Sequence, residues 1–216
     1  MKLYIPLLLS IPLMASCSMV SPLSQDSMIV RIVDIETTAP NGSSGHGVIL
    51  RSGEVLTSLH IVRTCLRSQV SSWAVTYKSA WCSIIENGRK NIIQSITVPN
   101  NDQDVAYLSY SWTQDMNSIT LISLQDITIW QPISALLNRS GAWQRIDGHI
   151  LELNVAYRAY DGDLEGKIFT GALVTNILLE LGESGTPIWT HSWELIGVVS
   201  AVDRGGKRSY IVRYSE

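Results

Sequence analysis

Charge is scarce in this chain: Asp, Glu, Lys and Arg make up 16 % of 216 residues and leave a formal net charge of −3. No block of Lys and Arg occurs, so the electrostatic footprint of a nucleic-acid partner is missing. Beyond the N-terminus no apolar run reaches the roughly 18–20 residues that a membrane-spanning helix needs. Long amphipathic windows with capping residues are missing too, which argues against a helical bundle. Repeat periods and low-complexity tracts are absent, so solenoids and biased tails drop out. There are only three cysteines, with no convergent His pattern around them, and a zinc site fits poorly. What remains is apolar. With 45 % hydrophobic residues and seven Trp, the chain is built to pack a core. About 200 mature residues suffice for one two-lobed domain or two small ones.

Residues 1–17 have a character of their own. Lys2 precedes an apolar stretch from Leu3 to Leu13, and small residues follow, which is the pattern of a secretory signal peptide. The segment Leu13-Met14-Ala15-Ser16-Cys17 resembles the lipobox of bacterial lipoproteins, whose Cys is lipidated and becomes the new N-terminus. Cys17 is therefore the candidate lipidation residue; plain cleavage near it, releasing a soluble protein, is the alternative. Residues 18–27 read as a polar tether, and each acyl methylene buried in a membrane would add about 0.8 kcal/mol of anchoring. The expected location is periplasmic or at the cell surface. In that oxidising setting one disulfide accounts for Cys65 and Cys82, with two buried thiols as the alternative.

The mature chain reads as short β-rich runs separated by turn residues, the pattern of an all-β sandwich or a pair of barrels. Met28–Glu36 alternates as a half-buried strand should, and Gly47–Leu50, Glu54–Ser58, Ser72–Tyr77, Trp81–Ile85, Ile92–Val98 and Val105–Tyr110 continue the series. Ser118–Leu124, Ile127–Trp130, His149–Val155, Lys167–Thr170, Gly185–Thr190, Leu195–Val202 and Ser209–Tyr214 do the same later. The best helical candidate is a turn or two after His60. A polar stretch at Ser111–Asn117 suggests two lobes, residues 28–112 and 113–216, with a cleft between them.

Three segments carry chemistry. Ser44–Val62 is a Gly-flanked strand, a tight turn and a second strand ending just before His60. Asp102–Leu108 puts an acid at the mouth of an apolar strand, either Asp104 or its rival Asp102. Leu181–Trp189 holds Ser184 next to Gly185 before another strand. A serine hydroxyl is a weak nucleophile unless an imidazole takes its proton, and the imidazole needs an acid to fix its tautomer.

In that order the segments resemble the chymotrypsin-like serine proteases, in particular compact bacterial members. Leu56-Thr57-Ser58-Leu59-His60-Ile61-Val62 is similar to the stretch around the general base, Asp104-Val105-Ala106-Tyr107-Leu108 to that around the orienting acid, and Gly182-Glu183-Ser184-Gly185-Thr186-Pro187 to that around the nucleophile. Ile196–Ser200 is similar to the strand lining the specificity pocket. The resemblance implies two antiparallel six-stranded β-barrels with the active site in the cleft between them. It implies His60, Asp104 and Ser184 as the triad, and the backbone N–H groups of Gly182 and Ser184 as the oxyanion hole. It further implies a polypeptide substrate and neither metal nor organic cofactor. The α/β-hydrolase elbow is excluded, because Thr186 stands where its last glycine belongs.

Glu183 stands where digestive members carry an Asp that pairs with an amino group freed by zymogen cleavage. Arg31-Ile32-Val33 looks superficially like such a cleavage point, but Met28–Glu36 is better used as the first strand. By analogy, Leu178 and Leu179 form the pocket base and Ser200, Ala201 and Val202 its rim. No acid stands at those positions and Val202 narrows the entrance, so a small or medium apolar side chain before the scissile bond is expected. The sequence leads to an exported serine endopeptidase, tethered to the membrane through Cys17. An inactive, protease-fold binding lipoprotein is the first alternative, and an unrelated all-β envelope lipoprotein with accidental motifs is the second.

Overall fold

Alternation along the sequence becomes alternation of faces. In β1 (Ile32–Thr37) Val33 and Ile35 are buried while Asp34 and Glu36 stand out, as the two-residue period of a strand requires. The computed structural model describes residues 31–38, 43–66, 81–100, 102–111, 126–139, 142–159, 165–203, 205 and 207–213. β1 pairs antiparallel with β2 (Gly45–Ile49) and with β4 (Cys82–Glu86). β3 (Val55–Thr57), β5 (Arg89–Thr97) and β6 (Ala106–Tyr110) complete a closed barrel in the order β1-β2-β3-β6-β5-β4. Asn87 and Gly88, both at positive φ, make the tight β4–β5 turn that matches strand twist. The interior is aliphatic, with Ile35, Ile49, Val55, Ile84, Ile96 and Leu108 essentially inaccessible.

The second barrel repeats the plan with β7 (Pro132–Arg139), β8 (Ala142–Arg158), β9 (Ile168–Thr175), β10 (Pro187–Thr190), β11 (Leu195–Val202) and β12 (Ser209–Arg213). Its closed order is β10-β11-β12-β9-β8-β7. β8 spans 17 residues, and its register against β9 shifts three times between Ile150 and Tyr157, with Asn154 at φ 55°. Bulges of this kind bend a strand. They bring the far end of β8, with Tyr157, round to the face that meets the first barrel.

Val48, Leu50, Leu56, Val105 and Tyr107 of the first barrel pack with Tyr157, Phe169, Trp189, Val198 and Val212 of the second in one buried cluster. At about 1.5–3 kcal/mol per large buried side chain, the first barrel's five alone are worth as much as a typical domain's whole net stability. The two barrels therefore share a buried core.

The all-β, two-barrel architecture is the one the sequence led us to expect. Three local expectations need correction. Ile127–Trp130 is not a strand but an irregular segment and turn, with Trp130 at φ 67° ahead of the strand that opens at Pro132. β7 and the first half of β8 were not foreseen. β7 buries Ile133, Ser134 and Ala135 in succession, and the start of β8 is exposed on both faces, so neither alternates. The turn expected after His60 begins one residue before it: α1 covers Leu59–Val62, followed by a 3-10 turn at Arg63–Cys65. Ser72–Tyr77, Ser118–Leu124, most of Ser111–Asn117, the signal segment with Cys17, and the tether lie outside the described residues.

Candidate active site

His60 owes its position to its neighbours. Leu59, Ile61 and Val62 are buried in the first barrel, which leaves the His60 side of this single turn facing the cleft. Ser58 precedes the turn in an extended conformation, and its hydroxyl donates across the cleft to the Val199 carbonyl at 2.6 Å. The disulfide Cys65–Cys82, with Cα atoms 6.0 Å apart, ties the segment after His60 to β4.

Asp104 enters from the neighbouring strand, at the mouth of β6, which pairs with β3. It is buried at 2 % exposure, which makes its hydrogen bonds decisive. One carboxylate oxygen accepts the His60 backbone N–H at 2.8 Å; the other faces His60 Nδ1 at 2.7 Å and also accepts the Ser200 hydroxyl. An acceptor-only carboxylate assigns the proton to Nδ1, leaving Nε2 as the basic nitrogen. Asp102 is exposed and takes no part. Its N–H bonds Asn100 and its carbonyl accepts from Thr170 at 2.9 Å.

Ser184 sits on a loop that β2 clamps. His46 N–H donates to the Ser184 carbonyl at 2.8 Å, and Thr57 Oγ1 donates to the His46 carbonyl at 2.7 Å. Gly185, at φ 80°, is pressed so closely here that a Cβ would lie 1.7 Å from the His46 oxygen, so no other residue fits. Gly182 has φ 93° with open space around it, so its constraint is conformational and not steric. Glu183 N–H bonds the Glu180 carbonyl and Gly185 N–H the Val199 carbonyl. Among the described residues no backbone carbonyl accepts from Gly182 N–H or Ser184 N–H. These are the two donors expected to hold an oxyanion.

His60, Asp104 and Ser184 thus line one cavity of about 430 Å³ between the barrels. Solved structures share this two-barrel arrangement. The active form of the Rv3671c protease from M. tuberculosis matches with a TM-score of 0.62 at 16 % identity, covering 85 % of this chain and 75 % of that one. The MamO protease domain from Magnetospirillum magneticum matches at 0.59 and 18 % identity, over 84 % and 90 % of the two chains. The HtrA-type protease AlgW with a tripeptide matches at 0.61 and 19 % identity, over 85 % of this chain and 56 % of that one. No family model and no curated protein matches the sequence. The fold is that of the chymotrypsin-like serine proteases.

Within this chymotrypsin-like fold the partner of Glu183 comes from inside the chain. Arg139, at the end of β7, donates Nε to one Glu183 oxygen at 2.6 Å and Nη2 to the other at 2.8 Å. Nη2 also reaches the Leu178 carbonyl at 3.3 Å, and Glu180 N–H donates to Glu183 at 2.7 Å. Burial alone would push the Glu183 carboxyl up, but the Arg139 bonds, the Glu180 amide and the Arg139 and His46 charges hold it below the usual carboxylate range. A guanidinium thus occupies the electrostatic role that a freed amino group would fill. Ile32, the residue such a cleavage would expose, is instead paired within β1. Nothing in the sequence near Glu183 pointed to Arg139.

The pocket differs from expectation at its base. Leu178 is exposed and Leu179 is buried in the second barrel's own core, so neither lines the cavity. The loop analogy misplaced them because the turn before Ser184 directs alternate side chains to solvent and to the core. Ser200, Ala201 and Val202 do line it, joined by Tyr157, Phe169 and Tyr210, which sequence reasoning missed. Two acids also reach the wall, contrary to expectation. Glu180 is largely solvated and lies 3.8 Å from Arg139, while Asp203 accepts the Lys207 and Arg208 amides.

Proposed function

We propose that this chain is an exported serine endopeptidase that cleaves peptide bonds through Ser184, His60 and Asp104. The observation that carries the reading is the buried Asp104–His60 pair, 2.7 Å apart, opening into the same cavity as Ser184. His60 Nε2 would take the Ser184 proton as Oγ attacks the scissile carbonyl, and Asp104 would stabilise the imidazolium so formed. Gly182 and Ser184 N–H groups would receive the oxyanion, and His60 would return the proton to the leaving amine. Labelling the purified protein with a fluorophosphonate tests this directly. Covalent modification should be complete in the wild type and absent in Ser184→Ala. No labelling in the wild type would favour the binding-protein alternative.

For the residue before the scissile bond we propose a small or medium apolar side chain. Val202 narrows the rim and the aromatic rings of Tyr157, Phe169 and Tyr210 line the wall, while Glu180 is turned largely to solvent and Asp203 accepts two backbone amides. A peptide panel in which Arg or Glu outperforms Ala, Val and Leu would overturn this. Tethering to a membrane through a lipid on Cys17 belongs to the same proposal. Cys17→Ser should move the protein from the membrane to the soluble fraction, and unchanged fractionation would refute the anchor.

A further inference from the structure

Behind Asp104 lies a second link. The Ser200 hydroxyl donates to the same Asp104 oxygen that holds His60 Nδ1, and the Tyr157 hydroxyl is bonded to Ser200 Oγ. Ser200 has one proton, and a carboxylate can only accept. That proton is committed to Asp104, so the phenol must be the donor to Ser200. The ring carrying it is closely held: Tyr157 is 7 % exposed, stacked on Tyr210 at 4.8 Å between centroids and packed on Phe169 at 5.5 Å.

We propose that Tyr157 is a positioning residue of the triad, whose hydroxyl fixes the Ser200 proton on Asp104 and so sets the charge that Asp104 presents to His60. The inference rests on the serine-protease reading for its catalytic consequence, though not for its geometry. Burial, followed by the nearby Asp104 charge, pushes the Tyr157 phenol far upward, so it stays a proton donor throughout any working range. Hydrogen bonds in such a chain strengthen one another, and losing the first weakens the second. With less of its charge drawn toward Ser200, Asp104 favours the imidazolium more. Lys167, whose charge acts on Asp104, and Arg158, Glu180 and Asp203, which line the same cavity, are left in place by a change at Tyr157.

The test is Tyr157→Phe in the full chain, which keeps the ring stack and removes only the hydroxyl. Two readouts separate this inference from the functional one. An NMR titration of His60, which needs no turnover, should show its pKa raised by about 0.2–0.6 units. In the active enzyme the acid limb of kcat should move to higher pH by the same amount with KM little changed, and the shift should vanish when Tyr157→Phe is made in a Ser200→Ala background. Unchanged His60 titration would overturn the inference even if fluorophosphonate labels Ser184. A change confined to KM, or one that persists without Ser200, would overturn the inference by showing that the phenol only packs or binds. If the wild type fails to label, the titration still decides the positioning role.

Discussion

Replacing His60 by Ala should lower kcat by about 10⁶-fold, the scale seen when a triad base is removed elsewhere. The imidazole is bonded to the buried Asp104 carboxylate and lines the same cavity as Ser184. Fluorophosphonate labelling should slow in parallel, and melting should change little, because the His60 side chain is partly exposed, at 28 %. The pH dependence follows from the same pair. Burial alone lowers the His60 pKa, but the Asp104 charge and hydrogen bond outweigh it and the net shift is upward. Since the base must be neutral, activity should be lost as pH falls through this raised value. The acid limb of kcat/KM should therefore lie above the ordinary histidine value of about 6.5. A limb well below that value, or a His60→Ala protein within tenfold of wild type, would remove His60 from the mechanism.

Arg139→Met should cost the second-largest amount, although Arg139 touches no substrate. It would leave the Glu183 carboxylate buried at 9 % exposure with only the Glu180 amide as a bonded donor. Breaking a buried pair from one side typically costs about 3–5 kcal/mol. Arg139 itself is partly exposed at 27 %, which puts the expectation at the lower end. Glu183 can escape this cost by turning to solvent, and doing so drags the peptides of Gly182 and Ser184 out of place. We expect kcat/KM to fall by about 10²-fold or more. Glu183→Gln should show a similar loss, and the double variant should be no worse than the worse single one. Near-normal activity in Arg139→Met would mean that this loop needs no charge pair to stay competent. Activity that appears only after proteolysis would revive the cleavage-dependent alternative.

How legible each part was depends on how local its cause is. The two barrels could be read because their strands alternate or run apolar between turn residues: Val33 and Ile35 inward and Asp34 outward, or Val105–Leu108 wholly buried. β7 and the first half of β8 could not, since one buries three residues in a row and the other almost none. His60, Asp104 and Ser184 could be singled out because each lies in a short motif that, in this order, resembles those of the chymotrypsin-like serine proteases. His60 follows a strand end, Asp104 opens an apolar strand, and Ser184 sits between positions that demand glycine.

Residue order alone thus led to the architecture, since hydrophobic period and turn chemistry act over a few neighbouring residues, and the resemblance of three short motifs to the chymotrypsin-like serine proteases led to the candidate triad. Arg139 beside Glu183 and Tyr157 beside Ser200 emerged only once the chain was packed, as did the exclusion of Leu178 and Leu179 from the cavity. Those partners lie 44 and 43 residues apart in the chain. Barrel closure and the bulges of β8 bring them together, and no short window of sequence records either.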